Sequence, residues 1–199
     1  MTRPAIRYAI LIAAALPLAG CLSFGPKTPP MLMALEPATA PATGQVANSG
    51  VAPTITIATP VVPQEIAVNR VPVRSDATTL SYVKDAQWVE PPAYLFQRLL
   101  SDTLAARSGY AVLTARQILV DPGASLSGEL RSFGIDARTG EAIVTYDAAL
   151  VRKGAESVEK RRFEARVPVS PVEAGPVAAA LNEAANKVSV DVADWVAGR

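Results

Sequence analysis

The chain has 199 residues, half of them apolar and 19% charged, which suits one packed domain with a tail and is too short for two ordinary domains. Its 19 basic residues are balanced by 18 acidic ones, so no polybasic surface faces a phosphate backbone, and nucleic acid is excluded as an expected partner. There is no histidine and a single cysteine, which removes the commonest general base, the commonest zinc ligand and any disulfide within the chain; no catalytic site, metal site or cofactor is expected.

The first 21 residues read in three parts. Arg3 and Arg7 make a positive start, Tyr8 to Leu16 is an uncharged apolar run, and Leu18-Ala19-Gly20-Cys21 closes with small residues before the cysteine. The apolar run is far shorter than the ~20 residues that span a bilayer, so the segment reads as a removable leader. Leu18-Ala19-Gly20-Cys21 resembles the lipobox recognised by the lipoprotein signal peptidase. The resemblance implies cleavage after Gly20, S-diacylglycerol on the Cys21 thiol and an acyl chain on its new amine. Two or three chains, at ~0.8 kcal/mol per buried CH2, anchor a protein where one does not. Residues 1–20 are thus expected to be a signal peptide. Loss of Arg3 and Arg7 leaves 17 basic against 18 acidic residues, a net charge of −1. Leu22 and Ser23 follow the cysteine with no aspartate, which favours the inner leaflet of an outer membrane, facing the periplasm.

Residues 21–52 are expected to be a tether, rich in Pro, Ala, Thr and Gly and unable to bury a core. Within it Met31 to Leu35 is apolar enough for a short strand, leaving 22–30 as linker and 36–52 as a flexible insertion. Nine extended residues reach roughly 28–31 Å, so the body can stand off its own bilayer.

Residues 53–199 are expected to form the folded domain. Thr54 to Ala58 is β-branched with period two and predicts a strand. Residues 64–75 read as irregular, with an extended stretch around Arg70 to Val73, and Thr79 to Val83 predicts a short strand. Pro91-Pro92 opens a helix where lost N–H donors do no harm, with Leu95, Phe96, Leu99, Leu100 and Leu104 as its apolar stripe and Ser108-Gly109 as its end. Tyr110 to Leu113 and Gln117 to Val120 are short strand candidates. Leu126, Gly128 and Leu130 share one face of the next strand, while Phe133 and Ile135 have the opposite parity, which predicts a bulge near Arg131-Ser132. Turns at Arg138-Thr139-Gly140 and Lys153-Gly154 separate this strand from Glu141–Val151 and Val158–Val169, a three-strand meander. Ser170-Pro171-Val172-Glu173 reads as a capping box, with Gly175-Pro176 as an interruption or restart, and Val177, Leu181, Ala184, Val188, Val192 and Trp195 as one helix face. The expected fold is α+β: an antiparallel β-sheet with two α-helices packed on one face, behind a flexible tether.

The run from Tyr82 to Pro92, with Trp88 between an acidic residue and the prolines and the Leu99/Leu104 helix after it, resembles the ABC-type transport auxiliary lipoproteins. Leu35-Glu36-Pro37, Ile57 to Arg74 and Leu126 to Phe133 extend the resemblance over most of the body. It implies a non-enzymatic accessory of a lipid transport system. The implied partners are an MCE-domain protein and its ABC permease and ATPase, with phospholipid as cargo and the lipoprotein as docking or channel component between two membranes. No Gly-x-x-x-x-Gly-Lys-Ser/Thr loop is present, so energy has to come from a partner. A homo-oligomeric ring would match the symmetry of MCE rings. Another envelope-assembly role, as a pilotin or a lipopolysaccharide-export partner, stays open.

Several residues admit a sharp and a bland reading. Trp88 and Trp195 are candidate contacts to lipid or partner, against the simpler reading that both fill the core. Asp85 and Glu90 read as solvated charges rather than a carboxylate pair. Lys160-Arg161-Arg162 reads as a charge-protected strand edge, or else as a headgroup site.

Overall fold

The structure, a computed structural model, describes residues 32–114, 117 and 122–199. The leader, Cys21 and the linker therefore lie outside the described residues, and of the strand candidate at 117–120 only Gln117 is described.

The elements in chain order are β1 (Thr54–Ile57), β2 (Arg70–Arg74), β3 (Leu80–Gln87), α1 (Pro92–Arg107), β4 (Ala111–Leu113), β5 (Ala124–Asp136), β6 (Glu141–Arg152), β7 (Glu159–Pro168) and α2 (Ala174–Val196). The strands form one seven-stranded sheet. β5, β6 and β7 make the expected antiparallel meander. The other edge of β5 is shared. β1 pairs with its first half (Ile55 opposite Ala124), Val61 bridges to Glu129 in the middle, and β2 pairs with its end (Val73 opposite Ile135).

These last pairings are parallel, as is β1 with β4, so the sheet is mixed rather than purely antiparallel. The reason is physical. Alternation in a strand says which face is buried but not which distant strand completes the ladder, and the hairpin rule reaches only neighbours in sequence. The crossover that allows parallel pairing is α1, which leaves after β3 and returns the chain to β1 through β4.

The bulge falls where parity predicts it. The β5–β6 register shifts between Leu130 and Ser132, so Leu126, Leu130, Phe133 and Ile135 are all buried. The α1 stripe from Leu95 to Leu104 is buried, and Gly109 adopts φ +75 after the Ser108 cap, the left-handed conformation that ends a helix most cheaply on glycine. The α2 face from Val177 to Val192 is buried as expected.

The capping box does not form. Val169 still donates to Gly140 O at 2.9 Å, holding the chain as strand past Pro168, and Glu173 rather than Ser170 is the N-cap, with no side-chain cap bond. Gly175-Pro176 falls in the first turn of α2, where a missing N–H is harmless, and interrupts nothing.

Both helices pack together and against the same face of the sheet, α2 lying over β6 and β7. The core centres on Phe96 against Tyr146 (5.3 Å) and Trp88 against Phe133 (5.4 Å). Gly128 is required here: a Cβ would meet the Asp147 carbonyl oxygen and stand 2.7 Å from Tyr146 Cζ, so only glycine lets the phenol ring lie across β5. Gly134 gives the same clearance beneath Pro72, where β2 joins β5.

Met33 docks beside Trp88 as a single parallel bridge, its N–H on Gln87 O (2.8 Å) and its carbonyl taking the Val89 N–H (2.9 Å). The chain then runs along α2. Asn182 Oδ1 accepts from the Glu36 N–H (2.9 Å), Asn186 Oδ1 accepts from the Ala38 N–H (2.7 Å), and Asn186 Nδ2 donates back to Glu36 O (2.9 Å). From Ala40 to Val51 every residue is exposed.

Candidate functional site

The two tryptophans separate. Trp88 is fully buried behind Met33 and Phe133 and presents no surface. Trp195 is half-buried, 5.5 Å from Phe163, and the Arg161 guanidinium lies 5.1 Å from the Phe163 ring. Cys21 and the leader residues Leu18, Ala19 and Gly20 lie outside the described residues. Glu90 is taken up by Arg98, which holds its carboxyl below the usual range, and Asp85 is an exposed residue of β3 at φ +55. Among the described residues no three His, Cys, Asp or Glu side chains gather as a metal site, and no helix is long and apolar enough to cross a membrane.

The sheet face turned away from the helices carries an ordered lattice of charge. Side chains alternate along each strand, so Asp147 stands directly between Glu129 on β5 and Arg162 on β7. Arg162 forks onto Asp147 at 2.6 and 2.7 Å, and Arg131 lies between the two carboxylates, 3.3 Å from Glu129 and 3.7 Å from Asp147. That relieves the like-charge pair Glu129/Asp147. One step along, Arg166 reaches Glu164 (2.8 Å), Glu141 (3.4 Å) and Asp136 (3.7 Å), while Thr145 Oγ1 donates to Glu164 (2.9 Å).

The hydrogen bonds from Arg162 keep the Asp147 carboxyl below its ordinary range. For Glu164, partial burial pushes upward and is outweighed by Arg166 and Thr145. Each exposed pair contributes roughly 0–1 kcal/mol, so the lattice sets register and solubility more than stability. Arg162, which belongs to the Lys160-Arg161-Arg162 run, is thus committed to Asp147.

Three depressions surround this frame. A small cavity of about 80 Å³ lies where β2 meets β5, lined by Ile66, Pro72, Leu80 and Ile143 and rimmed by the Arg74–Glu65 pair at 3.0 Å. A groove of about 850 Å³ runs past Val61 and Gly128 to Arg162. A third, of about 800 Å³, separates β7 from the outer flank of α2 between Ala179 and Asp191. The sequence reading missed this third groove. Its signal was present: Asn182 and Asn186, four apart on the polar flank of an amphipathic helix, are positioned to take backbone hydrogen bonds from another segment.

A family model described as the ABC-type transport auxiliary lipoprotein component matches residues 34–193. The chain belongs to this family of auxiliary lipoproteins. Solved structures share its fold. A DUF330 protein from Xanthomonas campestris superposes with a TM-score of 0.69 at 20% identity, covering 83% of this chain and 93% of the other. An uncharacterized protein superposes with a TM-score of 0.63 at 16% identity, covering 72% and 92%. A more distant likeness (TM-score 0.41, 13% identity, covering 70% and 86%) is to PelC from Paraburkholderia phytofirmans, described as a dodecamer. No curated protein sequence matches. The auxiliary lipoprotein is thereby a component of an ABC-type transport system, associated with the cell envelope and with transporter partners.

Proposed function

We propose that this auxiliary lipoprotein is the outer-membrane end of an MCE/ABC-type phospholipid transport system. Its body docks on an MCE-domain protein, and the permease and ATPase supply the energy. The observation that carries the reading is the family match over residues 34–193 in a chain that opens with Leu18-Ala19-Gly20-Cys21. Lipid on Cys21 holds the body to the inner leaflet, and the residues between Cys21 and Met33 let it stand off that surface. The protein acts by binding rather than by making or breaking bonds: its polar side chains on the open sheet face are paired with one another, and its sequence holds no histidine. A ring of copies would match an MCE ring in symmetry.

The test is affinity purification of the full chain from detergent-solubilised envelopes, with deletion of the gene alongside. The expected result is co-purification of an MCE protein with its permease, and raised detergent sensitivity in the deletion strain. Recovery of a secretin or an outer-membrane β-barrel in their place, with unchanged detergent sensitivity, would select the pilotin or lipopolysaccharide-export role instead.

A further inference from the structure

One edge strand of the sheet, β7, is open to pairing by another strand. β7 pairs with β6 and, among the described residues, with nothing on its other side. The Val169 N–H to Gly140 O bond and the β6–β7 register fix which backbone groups face which way. Odd-numbered residues from Arg161 to Val169 turn toward β6, so Lys160, Arg162, Glu164 and Arg166 turn their N–H and C=O groups outward.

Edge strands are commonly guarded by charge. Here, however, the Arg162, Glu164 and Arg166 side chains are drawn across the open sheet face toward Asp147, Thr145 and Glu141, which leaves the backbone edge uncovered. That edge borders the groove of about 800 Å³ against α2. The α2 side of the groove, from Ala179 to Val190, is about 16 Å long, enough for about five residues of extended chain.

The chain itself carries a segment suited to it. Between Ala38, tied to Asn186, and Pro53, whose carbonyl takes the Ala111 N–H, the arm makes local hydrogen bonds: Gln45 N–H to Ala42 O, Gly50 N–H to Asn48 Oδ1 and Val51 N–H to Asn48 O. No charged residue occurs from Pro37 to Gln64. Val46 and Val51 are 88% and 87% exposed, the most exposed large apolar side chains among the described residues. A loop of this length reaches roughly 23–25 Å from its root. In its own chain the arm enters this groove only at its root, where Ala38 lies beside Asn186, and residues 40–51 stand exposed outside it.

We propose that the Gln45–Asn48 stretch of one copy adds as a strand to the β7 edge of a second copy, seating Val46 in the groove between β7 and α2. Backbone hydrogen bonds to the outward groups of Glu164 and Arg166 would give the affinity, and the small, uncharged side chains of the arm would lie over Ala165, Ala179 and Val190, between the polar rims that Glu183 and Lys187 contribute. The inference deepens the ring part of the function proposed above and rests on it.

Two variants of the full chain, each with one added cysteine, Val46→Cys and Ala179→Cys in the α2 wall of the groove, are co-expressed under different tags and treated with a short bismaleimide; lipid occupies the Cys21 thiol. The expected product is a crosslinked dimer carrying both tags, absent when Tyr94→Cys on α1 replaces Ala179→Cys. In parallel, Val46→Asp is expected to lower the sedimenting mass to that of one chain while leaving the far-UV spectrum unchanged. A crosslink seen only when both cysteines sit in one chain overturns the proposal, as does a wild-type chain that sediments as a monomer or a Val46→Asp variant that keeps its assembly. If any of these occurs while an MCE partner still co-purifies, the strand exchange fails and the transport function stands.

Discussion

Replacing Tyr146 with phenylalanine should stabilise the protein. Tyr146 is fully buried on β6 beneath Phe96, its ring lying across Gly128, and its hydroxyl finds no hydrogen-bond partner among the described residues. A buried hydroxyl without a partner costs about 1–3 kcal/mol relative to leaving it in water, whereas the ring contributes its packing in either residue. Tyr146→Phe should therefore raise the unfolding free energy by about 1–3 kcal/mol at pH 7. For a domain of this size each kcal/mol is worth roughly 2–4 °C in Tm.

The same burial pushes the phenol pKa up. A group whose folded pKa is raised contributes stability that is complete below its unfolded pKa, about 10 for tyrosine, and is lost as pH climbs toward the folded value. The wild type should thus lose about 1.4 kcal/mol per pH unit above pH 10 through this one group, and the variant should not. Urea unfolding followed by tryptophan fluorescence, run on both chains at pH 7 and pH 11, measures both effects. A Tyr146→Phe chain less stable than wild type at pH 7 would mean that the hydroxyl is satisfied, and the reasoning would be wrong. So would an advantage that fails to grow at pH 11.

Other consequences follow from the packing and the charge lattice. Trp88→Ala should cost about 3–5 kcal/mol in urea unfolding, because it empties a fully buried site against Phe133; a loss under 1 kcal/mol would place Trp88 outside the core. Gly128→Ala should destabilise by more than the ordinary cost of overpacking, about 1–3 kcal/mol, since the new Cβ meets a backbone carbonyl that cannot move aside. A neutral result would mean that the β5–β6 register differs. The Asp147 carboxyl, lowered chiefly by its hydrogen bonds from Arg162, stabilises the fold above its unfolded pKa, near 4, and that contribution is lost as pH falls through its lower folded value. Asp147→Asn should therefore cost roughly 0.5–1 kcal/mol at pH 7 and almost nothing at pH 2, measured by urea unfolding at the two values.

Much of this fold was legible because its strongest signals are local. The period-two runs in β5 and β7, the leucine stripe of α1 and the parity switch at Arg131 each follow from neighbours in sequence, and each appears in the structure. The parallel pairing of β1 with β5 did not show, because Ile55 and Ala124 meet across a crossover that no periodicity encodes. Residues 36–38, read as part of a flexible insertion, are instead tied to α2, since the Asn182 and Asn186 amides replace the ladder that a Pro/Ala-rich segment lacks. The start of α2 moved from Ser170 to Glu173 because burying Val169 at the end of β7 outweighs a capping box. The charge lattice was half visible. Alternation placed Arg162, Glu164 and Arg166 on one face, but their partners on β6 depend on a register that only the assembled sheet fixes.

The proposed function depends most on the attachment of the body to a membrane. Mass spectrometry of the amino-terminal peptide of the processed protein, purified from envelopes, tests that directly. The expected product is a chain beginning at Cys21, heavier by a diacylglycerol thioether and an acyl amide. A free Cys21 thiol, or residues 1–20 still in place, would contradict it.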